Sequence, residues 1–111
     1  MLEGEDFSRG GIMYIHIFGF HWKPEATEAQ KHRAQADILA FGGKIHGLIE
    51  LHVGPNQSPN GRGYTFAGMM RFTGKQAFEA YVQSPQHQAL LKWLKPLIEP
   101  VELDFLALDS K

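Results

Sequence analysis

At 111 residues the chain has room for one domain with a single core. Its 43% hydrophobic and 21% charged residues are ordinary for a globular protein, and a formal net charge of −1 without a basic cluster argues against nucleic acid or an acidic membrane surface as partner. The absence of cysteine excludes disulfides, thiol catalysis and cysteine metal sites; no apolar run reaches membrane-spanning length and no signal pattern opens the chain, so a cytoplasmic location is expected.

Residues 1–11, polar and glycine-bearing, read as a flexible arm ahead of one domain over residues 12–108. "MYIHIFGF" (Met13–Phe20) predicts the first strand, and "HWKPEA" a loop. Thr27 with Gln30 three residues on makes a capping box, so a helix is expected from about Glu28 to Phe41, ended by "GGK". "LIELHV" (Leu48–Val53) predicts a second strand. "GPNQSPNGRG" (Gly54–Gly63) is a turn-rich loop, in which Arg62 reads as part of a hairpin turn rather than an anion site. "YTFAGMMRF" (Tyr64–Phe72) predicts a third strand. A broken helix follows over Lys75 to Val82 and Gln86 to Ile98, with Ser84 as N-cap, Pro85 at the first helical position and Pro96 bending or fraying the end. "VELDFLAL" (Val101–Leu108) predicts the last strand.

Counted from His87, residues Leu90, Leu91, Leu94, Leu97 and Ile98 follow the spacing of one buried helix face, and His87 lies on that face. Ala77, Phe78, Tyr81 and Val82 form the apolar side of the preceding segment. A phenol and an imidazole are therefore expected to point inward together, across the break at Ser84-Pro85. Polar tips inside an apolar layer need partners.

The element order is β-α-β-β-α-β, an α+β ferredoxin-like arrangement: one four-stranded antiparallel sheet, helices on one face, first and third strands central. In the first strand Tyr14, His16, Phe18 and Phe20 share one face, and Met13, Ile15, Ile17 and Gly19 the other. Both faces are apolar, and helices can cover only one. The expected partner of the other is a second copy, giving a homodimer through the sheet face.

"IHIFGFHWKP", "TEAQ", "GPNQSPNGRGY" and "AYVQSPQHQALLKWLKPLIEPVELDF" resemble the stress-responsive A/B barrel (Dabb) family. The resemblance spans roughly Met13 to Phe105. It implies a dimeric α/β barrel of ferredoxin-like protomers. Some plant members are olivetolic acid-type polyketide cyclases, which close a linear poly-β-ketone by aldol condensation. The positions matching the cyclase pocket residues are His16, Tyr81 and His87. This chain departs from the cyclase pattern at four places. Phe66 stands where a further pocket histidine is usual, Gly68 where a valine is, Ala34 and Gln35 where wall aromatics are, and Ser84 where a histidine precedes the proline.

The residues themselves suggest acid/base work. Burial and the positive end of a helix both keep a first-turn histidine neutral, so His87 could take a proton from an acidic carbon while Tyr81 donates to the enolate oxygen. The blander reading is that His87 bonds Tyr81 and a backbone group and fills the core. His16 is expected to converge on the pair. Phe18, Ala34, Ile38, Phe66, Gly68 and Leu90 are the expected pocket lining, with Gly68 leaving a hollow or marking a bulge. The six histidines show no ligand spacing on any one element, so no metal is expected, and no cofactor. Three functions compete. One is a cyclase- or lyase-like enzyme acting on an enolisable carbonyl. Another is a non-catalytic, stress-associated barrel that holds a small hydrophobic ligand or only assembles. The last is a monooxygenase built on the same dimeric barrel, by fold analogy.

Overall fold

The computed structural model describes residues 12–108, so the arm expected over residues 1–11 lies outside the described residues. The elements are β1 (Tyr14–Trp22), α1 (Glu28–Leu39), β2 (Leu48–Pro55), β3 (Phe66–Phe72), α2 (Lys75–Gln83), α3 (Pro85–Leu94), a 3-10 turn (Lys95–Leu97) and β4 (Ile98–Leu106). The strands form one antiparallel sheet in the order β2-β3-β1-β4, which makes β1 and β3 central.

Local chemistry accounts for the helix starts. The Thr27 hydroxyl accepts from the Gln30 amide at 3.1 Å, and the Gln30 side chain accepts from the Thr27 amide at 2.9 Å. Two of the orphan donors at the start of α1 are thus satisfied reciprocally. Ala34 and Ile38, one turn apart, are the buried residues of this helix. At α3 the Ser84 hydroxyl accepts from the His87 amide at 3.2 Å, with Pro85 at the first helical position.

The helices cover the face of β1 that carries Tyr14, His16, Phe18 and Phe20. Tyr14 and His16 both stack on Phe78 of α2, at centroid distances of 4.6 and 4.9 Å. Phe72, Ile38, Met70 and Leu94 are the largest fully buried side chains, so the core lies between the central strands and the helical layer. Trp93, just off the apolar stripe of α3, lies under the Arg33 guanidinium of α1 at 4.1 Å and so covers the helix edge.

Two local expectations are corrected. The helix ends at Leu94 rather than Ile98: Pro96 has no amide hydrogen and falls in the 3-10 turn, and Ile98 becomes the first, buried residue of β4. Gly68 does not leave a hollow. A Cβ there would lie 2.1 Å from the tip of the Phe18 ring, so the phenyl of the neighbouring strand occupies the space that glycine frees.

Part of the opposite sheet face is uncovered in the protomer. Ile17 pairs with Leu103 across β1 and β4 and Leu103 is 65% exposed, whereas Ile15, paired with the exposed Phe105, is itself buried. On the β2–β3 side the same face is polar. There Glu50 accepts from Arg71 at 2.8 Å and contacts His52 at 2.8 Å, and these partners hold its carboxyl below the ordinary range.

Candidate functional site

A cavity of about 260 Å³ lies between the sheet and the helices. Phe18, Phe20, Met70, Ile38, Leu90 and Leu94, drawn from β1, β3, α1 and α3, form its apolar wall. His16, Tyr81 and His87 also line it, with Lys95, Pro100 and Glu102 at its exposed rim. Three of the expected lining positions, Phe18, Ile38 and Leu90, are in the wall. The other three are not. Ala34 is sealed in the core, Phe66 stacks on Phe20 at 5.3 Å away from the cavity, and Gly68 lies beneath Phe18.

Tyr81 is the centre of the polar cluster. It is 4% exposed, its ring centroid is 4.6 Å from that of His87 and 6.5 Å from that of His16, and Phe41, Phe72 and Phe78 enclose the remaining ring surface. Burial, reinforced by the charge of Glu102, holds the phenol well above its ordinary pKa, so it stays a donor at neutral pH. Among the described residues its hydroxyl has no hydrogen-bond partner; the Tyr81 atom that takes part in side-chain bonding is its backbone carbonyl, which accepts from Ser84 Oγ at 2.7 Å.

His87 is placed by the break between α2 and α3. The last carbonyls of a helix have no partner within it. The Val82 carbonyl near the end of α2 instead accepts from His87 Nδ1 at 3.0 Å and from the Gln88 side chain at 2.8 Å. A carbonyl can only accept, so Nδ1 carries the hydrogen and the neutral ring keeps its lone pair on Nε2. Burial pushes the imidazole below its ordinary value; the Val82 bond and Glu102 oppose this, and His16 adds to it. At pH 7 the group is a neutral base. The hydrogen bond to Tyr81 weighed as the bland role does not form among the described residues, although the two rings are in contact.

His16 is buried and sits directly across from Asp104 of β4. Its Nδ1 meets Asp104 Oδ1 at 2.7 Å, and the Tyr14 hydroxyl donates to Oδ2 at 3.3 Å. The carboxylate fixes tautomer and orientation. Asp104 and Glu102 are absent from the sequence-based site. Their signal was the alternation in "VELDF", which puts Val101, Leu103 and Phe105 on one face and the two carboxylates on the other. Donor atoms of His16, Glu102 and Asp104 lie within 4.8 Å of one another. The short Asp104–His16 bond engages His16 Nδ1 and one Asp104 oxygen, and Glu102 stays outside it. His21 packs on Tyr64 at 5.9 Å and His52 on Glu50, both away from the cavity.

The sequence model of the stress responsive A/B barrel domain matches residues 15–111. The chain belongs to this family. No curated protein matches the sequence. Solved structures show the same fold at low identity. A Dabb protein with a ferredoxin-like fold from Mesorhizobium loti is 23% identical, with a TM-score of 0.75 over 88% of this chain and 99% of its own. The hydroxynitrile lyase of Passiflora edulis is 19% identical, with a TM-score of 0.81 over 90% and 97%. A dimeric ferredoxin-like protein from Thermobifida fusca is 24% identical, with a TM-score of 0.78 over 95% and 100%. The cofactor-independent oxygenase SnoaB of Streptomyces nogalater is 14% identical, with a TM-score of 0.72 over 90% and 97%. The Dabb domain described here is thus a ferredoxin-like α+β unit, and among its described residues no helix is long and apolar enough to cross a membrane.

Proposed function

We propose that this Dabb protein is a homodimeric acid/base enzyme that needs no cofactor and acts on a small enolisable carbonyl compound, in the manner of a polyketide cyclase. The observation that carries the reading is the pair at the head of the cavity: a buried phenol hydroxyl beside an imidazole Nε2, neither with a hydrogen-bond partner among the described residues. A carbonyl oxygen accepts from Tyr81, and Nε2 of His87 takes the proton from the adjacent carbon as the electron pair moves onto that oxygen. The product of the step is an enolate hydrogen-bonded to Tyr81 and an imidazolium at His87. The enolate carbon then attacks a second carbonyl, and the proton returns from His87 to the new alkoxide. His16, held by Asp104, supplies a further polar contact. Hydroxynitrile lysis, the activity of the Passiflora edulis neighbour, also needs a base beside a hydroxyl-bearing carbon.

Dimerisation is the second part of the reading. It is supported by the uncovered apolar patch of Ile17, Val101, Leu103 and Phe105, and by neighbours described as dimeric. The deciding experiment is a turnover assay on β-polyketones, β-diketones and cyanohydrins with wild type and His87→Ala. Turnover lost in a variant that keeps its fold and assembly supports the reading. Saturable binding without turnover of any compound assigns the cavity to ligand storage instead.

A further inference from the structure

Beyond the acid/base pair, the cavity carries a charge at its mouth that this mechanism does not use. Glu102 lies on β4 opposite Phe18, on the helix-covered side, and its Oε1 is 3.9 Å from His16 Nδ1. Asp104, the other carboxylate nearby, is engaged by His16 and Tyr14. Glu102 has no hydrogen bond among the described residues, so its negative charge remains available at the rim. Lys95 is the one Lys or Arg of the lining; it is exposed in the 3-10 turn and has no ion pair to Glu102 among the described residues. The wall behind them is apolar.

We infer that Glu102 makes this cavity select by charge, favouring uncharged carbonyl compounds and their cationic analogues over carboxylates. The inference rests on the proposed function only in taking this cavity as a ligand site. An apolar wall penalises ions of either sign, because both lose hydration. It cannot tell an ammonium from a carboxylate. Glu102 can: an entering carboxylate meets a like charge, whereas an ammonium gains a partner as it loses water. Glu102 is more than half exposed, so solvent and salt screen the effect and keep it modest.

Three aryl ketones of one skeleton test this: methyl para-acetylbenzoate, para-acetylbenzoate and para-acetylbenzylammonium. Dissociation constants are measured by ligand-observed NMR at neutral pH and low salt, with wild type, Glu102→Gln and Lys95→Gln. The ester is expected to bind most tightly, and the ammonium about fivefold more tightly than the carboxylate, roughly the upper size of one partly screened charge contact. Glu102→Gln should bring the two ions to within about twofold, and Lys95→Gln should widen the gap. Added salt should shrink the wild-type gap. Equal binding of the two ions by wild type, an unchanged gap in Glu102→Gln, or no saturable binding of any of the three overturns the inference. Its failure is separable from that of the acid/base reading: charge selection without turnover removes only the chemistry, and turnover without charge selection removes only the role of Glu102.

Discussion

The two faces of β1 are built from equally apolar residues, yet they meet different fates. Phe18 and Phe20 vanish under the helices with His16 between aromatic rings, while Ile17, one residue away, stays at the surface with Leu103 and Phe105. Hydrophobicity alone does not distinguish these sides. The difference lies in what the covered face also carries: a histidine, a tyrosine and the cavity they line, against a face with an apolar half of Ile17, Val101 and Leu103 and an ion-paired strip of Glu50, Arg71 and His52. The proposed function gives the first face a small ligand and the second a copy of the chain.

The largest expected effect breaks the broad face. Leu103→Lys or Ile17→Lys places an unpaired charge in the proposed dimer interface, which is strongly destabilising, by about 3–5 kcal/mol where the charge is buried without a partner. Sedimentation should show monomers or an unfolded chain, whereas a dimer of wild-type stability in both variants would locate the interface elsewhere. Next in size is His87→Ala, which should reduce turnover at least about 100-fold, the lower range for a general base, while sedimentation stays unchanged. The contrast between the two variants separates assembly from chemistry.

Gly68→Ala probes the packing of the covered face. The added methyl meets the Phe18 ring, and overpacking of this kind costs about 1–3 kcal/mol in thermal or urea denaturation. Phe18→Leu in the same chain should recover part of that loss; no recovery would mean that the backbone, not the ring, resists the methyl. Ser84→Ala should cost about 1 kcal/mol, the usual loss of an N-cap, and should move the His87 ring resonances in NMR. The smallest effect is a pH dependence. The folded protein holds His87 below the ordinary histidine value of 6.5, so below that pH the unfolded chain binds the proton first. The contribution of His87 to stability is therefore complete above pH 6.5 and declines as pH falls towards its folded-state pKa. Turnover should rise with pH through the same depressed value. Denaturation midpoints of wild type and His87→Gln compared at neutral and mildly acidic pH test the stability half; an equal slope in both would remove His87 as its source.

Most of the fold was legible because the signals are local. The capping box at Thr27, the N-cap at Ser84 and the period-two pattern of β1 each depend on residues within a turn or a strand. The end of α3 was misread because Leu97 and Ile98 satisfy the helical spacing, and the constraint that overrules it, Pro96, marks a boundary without fixing where the next strand begins. The site was legible on its helical side, where Tyr81 and His87 are six residues apart. It was incomplete on the sheet side, since Asp104 reaches His16 through the pairing of strands 88 residues apart in sequence, a register that no local pattern determines. Gly68 shows the same limit: the sequence marks a missing side chain, and only the neighbouring strand reveals what fills the gap.

The Ser84 hydroxyl donates to the Tyr81 carbonyl and accepts from the His87 amide, so one oxygen clasps the backbone of both residues of the proposed acid/base pair. Phenol and imidazole are thereby carried on one clip of seven consecutive residues, while Phe41, Phe72 and Phe78 fix where the phenol ring lies. Phe18, Ile38 and Met70 come from three other elements and lie outside that clip. Under the proposed function, a change of substrate would be made by refitting these walls while the backbone clasp stays in place.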